Sequence, residues 1–162
     1  MMVFCIVINR LRLTQNFTKL FFNVHLVYIV VSNSSDCYLE QAYVSMSSAR
    51  YHTPDVHITL VMDTYTADNL NGFRKTEAQY ADEIIVVDLN KDIPAKKRSR
   101  LLKTSLRNIV DGDFLYIDCD TVIVDDLSSI DFIDFSFGAV KDLNLDDNPC
   151  LDFISADLKK LV

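Results

Sequence analysis

An α/β fold built on a Rossmann-like, mainly parallel sheet is what this sequence predicts, and three observations predict it. Short apolar runs rich in Val and Ile recur at His25–Val31, His57–Met62, Glu83–Leu89 and Phe114–Ile117. Between them lie longer stretches with apolar residues at helical spacing. Each run ends in polar or turn-forming residues, so strand and helix alternate as βαβ units with short right-handed connections.

The elements follow in order. His25–Val31 is a continuous apolar strand ending in Ser32-Asn33-Ser34-Ser35. Asp36 is placed to cap a helix in which Leu39, Ala42, Tyr43, Met46 and Ala49 share a face. Thr53-Pro54-Asp55 stops it. His57–Met62 is the second strand, closing at Asp63. Thr66 can cap a shorter helix carrying Leu70, Phe73 and Tyr80 on one side, weakened by Gly72. Glu83–Leu89 is the third strand. Asp92 and Pro94 start a helix whose inner face is Leu102, Leu106 and Ile109, and Gly112 ends it. Phe114–Ile117 is the fourth strand and Phe135–Val140 a fifth.

Composition narrows the function. With 49% hydrophobic and 24% charged residues, the chain has the means to bury a core, and 162 residues suit one domain. A net charge of −7 opposes nucleic-acid binding, which needs a broad cationic face. Cys5, Cys37, Cys119 and Cys150 have neither CxxC nor zinc spacing and read as small buried hydrophobes of a reducing, cytoplasmic setting. No apolar run is long enough for a transmembrane helix. Residues 1–24 join no alternating pattern and are expected to be an N-terminal extension. The other reading is an interfacial helix with Arg10, Arg12 and Lys19 on its polar side, peripheral to a membrane. Residues 25–143 form the α/β domain, and 144–162 a C-terminal tail.

The chemistry concentrates after the fourth strand. Asp118 and Asp120 are two residues apart, so in extended backbone both carboxylates aim at one point. Hard oxygen ligands at a strand end suit Mg²⁺ or Mn²⁺ carrying a phosphate-bearing substrate. The spacing alone is weak: all but three of the 23 acidic residues are Asp, and Asp111 and Asp113 repeat it in a turn around Gly112. Topology adds weight. A strand order 3-2-1-4 opens a crevice between the first and fourth strands, lined by Ser32-Asn33-Ser34 and by Asp118-Cys119-Asp120. The helix before the motif holds six of the chain's 16 positive charges. Lys103 and Arg107 read as solvated, whereas Lys97 and Arg100, in its first two turns, are placed to neutralise a diphosphate.

The run Ser99-Arg100-Leu101-Leu102-Lys103, followed by Asp113-Phe-Leu-Tyr-Ile-Asp-Cys-Asp-Thr-Val-Ile-Val-Asp-Asp-Leu127, resembles the nucleotide-sugar glycosyltransferases of the GT-A fold. It looks most like the lipopolysaccharide/glycogenin-like group, and Phe137-Gly-Ala-Val-Lys-Asp142 looks like that family's next strand. The resemblance spans His25 to Leu143 and is specific around 99–142. It implies a donor-binding half that transfers a sugar from a UDP-sugar to a glycan or polysaccharide acceptor. Asp118 would contact the donor ribose or the metal through water, and Asp120 would bind Mn²⁺ or Mg²⁺ directly. Ser32, Asn33 and Ser34 would hold the nucleoside, with Arg100 near the donor.

Such enzymes continue into an acceptor-binding half, of which 144–162 would be the start. Three other readings stand beside this one, and the plainest takes Asp118 and Asp120 as solvated turn residues after a buried strand. Asp118-x-Asp120-x-Val122 also resembles the first motif of haloacid-dehalogenase-type phosphatases, where the first Asp attacks phosphorus. The third reading is a non-catalytic nucleotide-binding domain.

Overall fold

The computed structural model describes residues 5–8, 24–132 and 137–139. Within them the alternation of strand and helix is as the apolar runs require. The strands are β1 (Cys5–Ile8), β2 (His25–Val30), β3 (His57–Asp63), β4 (Glu83–Val87), β5 (Phe114–Ile117) and β6 (Phe137–Ala139). The helices are α1 (Tyr38–His52), α2 (Thr64–Asp68), α3 (Gly72–Ala78) and α4 (Ala95–Ile109), with a 3₁₀ turn at Ser128–Phe132. The expected tail, 144–162, lies outside the described residues.

The described strands form one sheet in the order β4-β3-β2-β5-β1-β6. Its first four members are mutually parallel and reproduce the expected 3-2-1-4 arrangement. The chain reverses its winding between β2 and β5, which pair from Leu26↔Leu115 to Tyr28↔Ile117. Each central strand is apolar on both sides because helices cover both faces. Leu26, Tyr28 and Val30 of β2 pack with Leu39, Ala42, Met46 and Ala49 of α1. Val27, Ile29 and Val31 pack with Leu102 and Leu106 of α4. The result is a three-layer α/β/α arrangement.

Three local readings differ from expectation. Residues 5–8 are not set apart from the sheet: β1 runs antiparallel between β5 and β6, with Ile6 opposite both Tyr116 and Ala139. A four-residue strand has no room for the period that would reveal it, and its partners lie more than 100 residues downstream. The helix expected from Thr66 is two short ones, broken before Gly72, whose φ of 51° is left-handed. Its cap is Asp63, whose carboxylate accepts the Thr66 N–H at 2.8 Å. Asp36 lies one residue outside the α1 N-cap, Cys37; its carboxylate accepts the Tyr38 N–H at the helix start at 3.3 Å and the Asn33 N–H of the preceding loop at 2.8 Å. Among the described residues no helix is long and apolar enough to cross a membrane.

Candidate functional site

The carboxyl ends of β2 and β3 are joined by a buried polar network. The Ser32 N–H donates to Thr66 Oγ1 at 3.0 Å, and the Thr66 hydroxyl donates back to the Ser32 carbonyl at 3.2 Å. Asp63, fully buried, caps α2 with one carboxylate oxygen and pairs with Arg98 Nε at 2.5 Å through the other. Arg98 also donates from Nη1 to the carbonyls of Ile93 (2.5 Å) and Lys91 (3.3 Å), and its guanidinium lies 5.2 Å from the Tyr65 ring centre. One arginine therefore ties the β4–α4 loop to the ends of β3 and α2.

Above this network is a cavity of about 500 Å³ lined by Ser32, Asn33, Ser34, Ser35, Tyr65, Lys91, Ala95 and Arg98. Its β2 side is braced by Arg74, which donates to Ser32 Oγ at 2.7 Å and to the Asn33 carbonyl at 2.5 Å. Arg74 also pairs with Glu40 at 2.9 Å and Asp36 at 3.5 Å. Asp36 accepts the Ser32 hydroxyl and the Asn33 N–H, and Asn33 Oδ1 accepts from the Ser35 N–H at 2.8 Å. The loop is thus pre-shaped, and an entering ligand need not order it.

The expected residues Ser32, Asn33 and Ser34 line this cavity; Lys97 and Arg100 do not. Both are exposed on α4 and form no ion pair among the described residues. Arg98 takes the inward position because it lies four and eight residues before Leu102 and Leu106, on the helix's buried stripe. That spacing was the available signal. Arg74 carried none, since its partners come from 34 to 42 residues away.

Asp118 and Asp120 leave β5, the neighbour of β2, but line no part of this cavity. The strand ends at Ile117, and the Thr121 N–H bonds the Asp118 carbonyl at 3.2 Å. The two aspartates thus sit in a turn, and the alternation rule of extended backbone does not apply to them. Asp118 is half-buried and Asp120 exposed. Asp118 Oδ1 accepts from Lys103 Nζ at 2.8 Å and from the Tyr116 hydroxyl at 2.6 Å. Lys103, expected to be solvated, is instead the direct counter-ion of the motif. Burial and then the Asp118 carboxylate hold the Tyr116 phenol protonated, far above its ordinary range. Burial and the flanking aspartates push the Cys119 thiol up to about 11, so it supplies no thiolate near neutral pH. Beyond the motif, the Ile123 N–H donates to Ser48 Oγ (2.9 Å) and the Leu127 N–H to Thr53 Oγ1 (2.9 Å), pinning the segment to α1.

A divalent cation at this turn would have few ligands from the protein. Among the described residues no three His, Cys, Asp or Glu side chains gather as a free-standing metal centre. Mg²⁺ and Mn²⁺ bound with nucleotides need only one or two carboxylates, the rest of the shell being phosphate and water. Asp118 and Asp120 are carboxylates of that type, and the hydroxyl of Thr121, next in the turn, is buried with no hydrogen-bond partner among the described residues. The β2–β5 register ends at Tyr28↔Ile117, so Asp118 directly follows the last paired residue of β5, while Ser32 lies four residues beyond that of β2.

No family model matches the chain, and no curated protein matches it.

Proposed function

We propose that this chain is the donor-binding portion of a metal-dependent glycosyltransferase, taking a nucleotide-diphosphate sugar, a UDP-sugar, and transferring the sugar to a glycan or polysaccharide acceptor. The observation that carries this reading is topological. A pre-shaped polar cavity and the Asp-x-Asp turn leave neighbouring strands, β2 and β5, at the same end and on the two sides of the winding reversal.

The residues divide the work by chemistry. Ser34 and Asn33 offer polar groups to a ribose or base, while Tyr65 offers an aromatic surface. Lys91 and the first turn of α4 at Ala95 supply positive potential toward phosphate. Arg98, neutralised by Asp63, is the organiser of this wall. Asp118 and Asp120 would hold Mn²⁺ or Mg²⁺, which when bound offsets the charge developing on a diphosphate leaving group. A cytoplasmic protein, peripheral to a membrane face, is the setting that such a reaction on a surface polysaccharide suggests.

Thermal melts test the reading. UDP and Mn²⁺ together are expected to raise Tm where neither alone does. At about 100 times Kd the gain is about 2.7 kcal/mol, or on the order of 5–10 °C for a chain of this size. Asp120→Asn should remove the shift, while Asp111→Asn, in the other Asp-x-Asp, should keep it. Equal loss in both variants, or a shift with UDP in EDTA, refutes the metal assignment. A beryllium-fluoride adduct on Asp118 would identify a phosphatase instead.

A further inference from the structure

Lys103, on the third turn of α4, reaches across to the end of β5. Its Nζ is 2.8 Å from Asp118 Oδ1, the same oxygen that accepts the Tyr116 hydroxyl at 2.6 Å. The ammonium also stands 5.4 Å from the centre of the Tyr116 ring. The pair is neither buried nor free in solvent: the Lys103 side chain is 37% exposed and that of Asp118 18%. A half-exposed pair of this kind can open without the desolvation penalty that locks Arg98 on Asp63.

We infer that Lys103 is a latch on Asp118, neutralising it when no nucleotide is present and releasing it to a divalent cation when a diphosphate draws the ammonium away, so that cation and nucleotide bind together. This rests on the reading of this end of the sheet as a diphosphate site.

The argument is one of charge. A divalent cation approaching Asp118 alone meets a carboxylate already matched by an ammonium, and must displace it or accept a like charge a few ångströms away. A diphosphate changes both terms. Its oxygens accept the Lys103 ammonium as a point charge on a flexible stem, and they complete the cation's shell. Tyr116 keeps its bond to Asp118 throughout, which holds the carboxylate in place while Lys103 exchanges partners. The six cations of α4 therefore have different tasks: Arg98 builds the wall, and Lys103 times the cation.

The test is a titration of the full chain with Mn²⁺, read as free Mn²⁺ by electron paramagnetic resonance, with and without UDP. Lys103→Met is expected to bind Mn²⁺ alone about tenfold tighter than the wild type, within the usual range for coupled sites. Lys103→Arg, which keeps the charge, should not. Added UDP should tighten Mn²⁺ binding far more in the wild type than in Lys103→Met. Melts of the unliganded variants establish that both fold.

A Lys103→Met variant that binds Mn²⁺ no better than the wild type overturns the latch, as does Lys103→Arg matching Lys103→Met. If UDP still tightens Mn²⁺ binding in the wild type in those cases, the site itself stands and only the latch fails. Absence of Mn²⁺ binding in every protein, even with UDP, overturns both.

Discussion

Glu77 shows how a single side chain in this network carries a measurable signature. It is buried in α3, three residues after Arg74, with no hydrogen-bond partner for Oε2 among the described residues. Burial, then the Glu40 carboxylate, raise its carboxyl above the ordinary 4.5, with Arg74 pulling the other way. A raised value in the folded state means that the stabilising, neutral form is complete below pH 4.5 and lost as pH climbs through the folded value. Glu77→Gln is therefore expected to stabilise the protein by about 1 kcal/mol near neutral pH, from relief of one poorly solvated charge, and by nothing in acid below that range. Urea melts at the two pH values check it; an equal gain at both would assign the effect to shape rather than charge. Arg98 and Arg74 illustrate what a sequence hides at this scale. Each is one cation among 16, and each is defined by an acid more than 30 residues away.

At the scale of elements, the four parallel strands were legible because apolar runs on β2, β3 and β5 must be covered on both faces, whereas their order was the usual one for a doubly wound sheet and not written in the residues. α1 and α4 were equally legible from Leu39, Ala42, Met46 and Ala49, and from Leu102 and Leu106. β1 was not, because antiparallel insertion beside β5 is a long-range choice that four residues cannot announce. Its position has a consequence. Ile6 faces a paired strand on both sides, so its N–H meets the ladder whichever way it points. Ile6→Pro is expected to lower stability by about 1–3 kcal/mol by orphaning a carbonyl within the sheet. A loosely attached segment would leave the chemical denaturation midpoint unchanged. The Asp-x-Asp turn failed for a related reason. Alternation is a property of strands, and β5 stops at Ile117, one residue before the motif.

Across the whole molecule, a chain of net charge −7 concentrates cations on α4, which carries six of them and no acidic residue. Such a local reversal of sign would favour a small anion there. On the proposed reading, the fold offers two half-sites on adjacent strands, one a shaped cavity at Ser32–Ser35 and the other the Asp118–Thr121 turn. A nucleotide diphosphate with its cation is the ligand that would join them. Paramagnetic broadening of backbone amide signals by Mn²⁺ in the presence of UDP tests that union most directly. The expected result is selective loss of the amides of Ser32–Ser35 and Asp118–Thr121, with those of Asp111–Asp113 retained. Broadening centred on Asp111–Asp113, or spread evenly over the acidic surface, would contradict it.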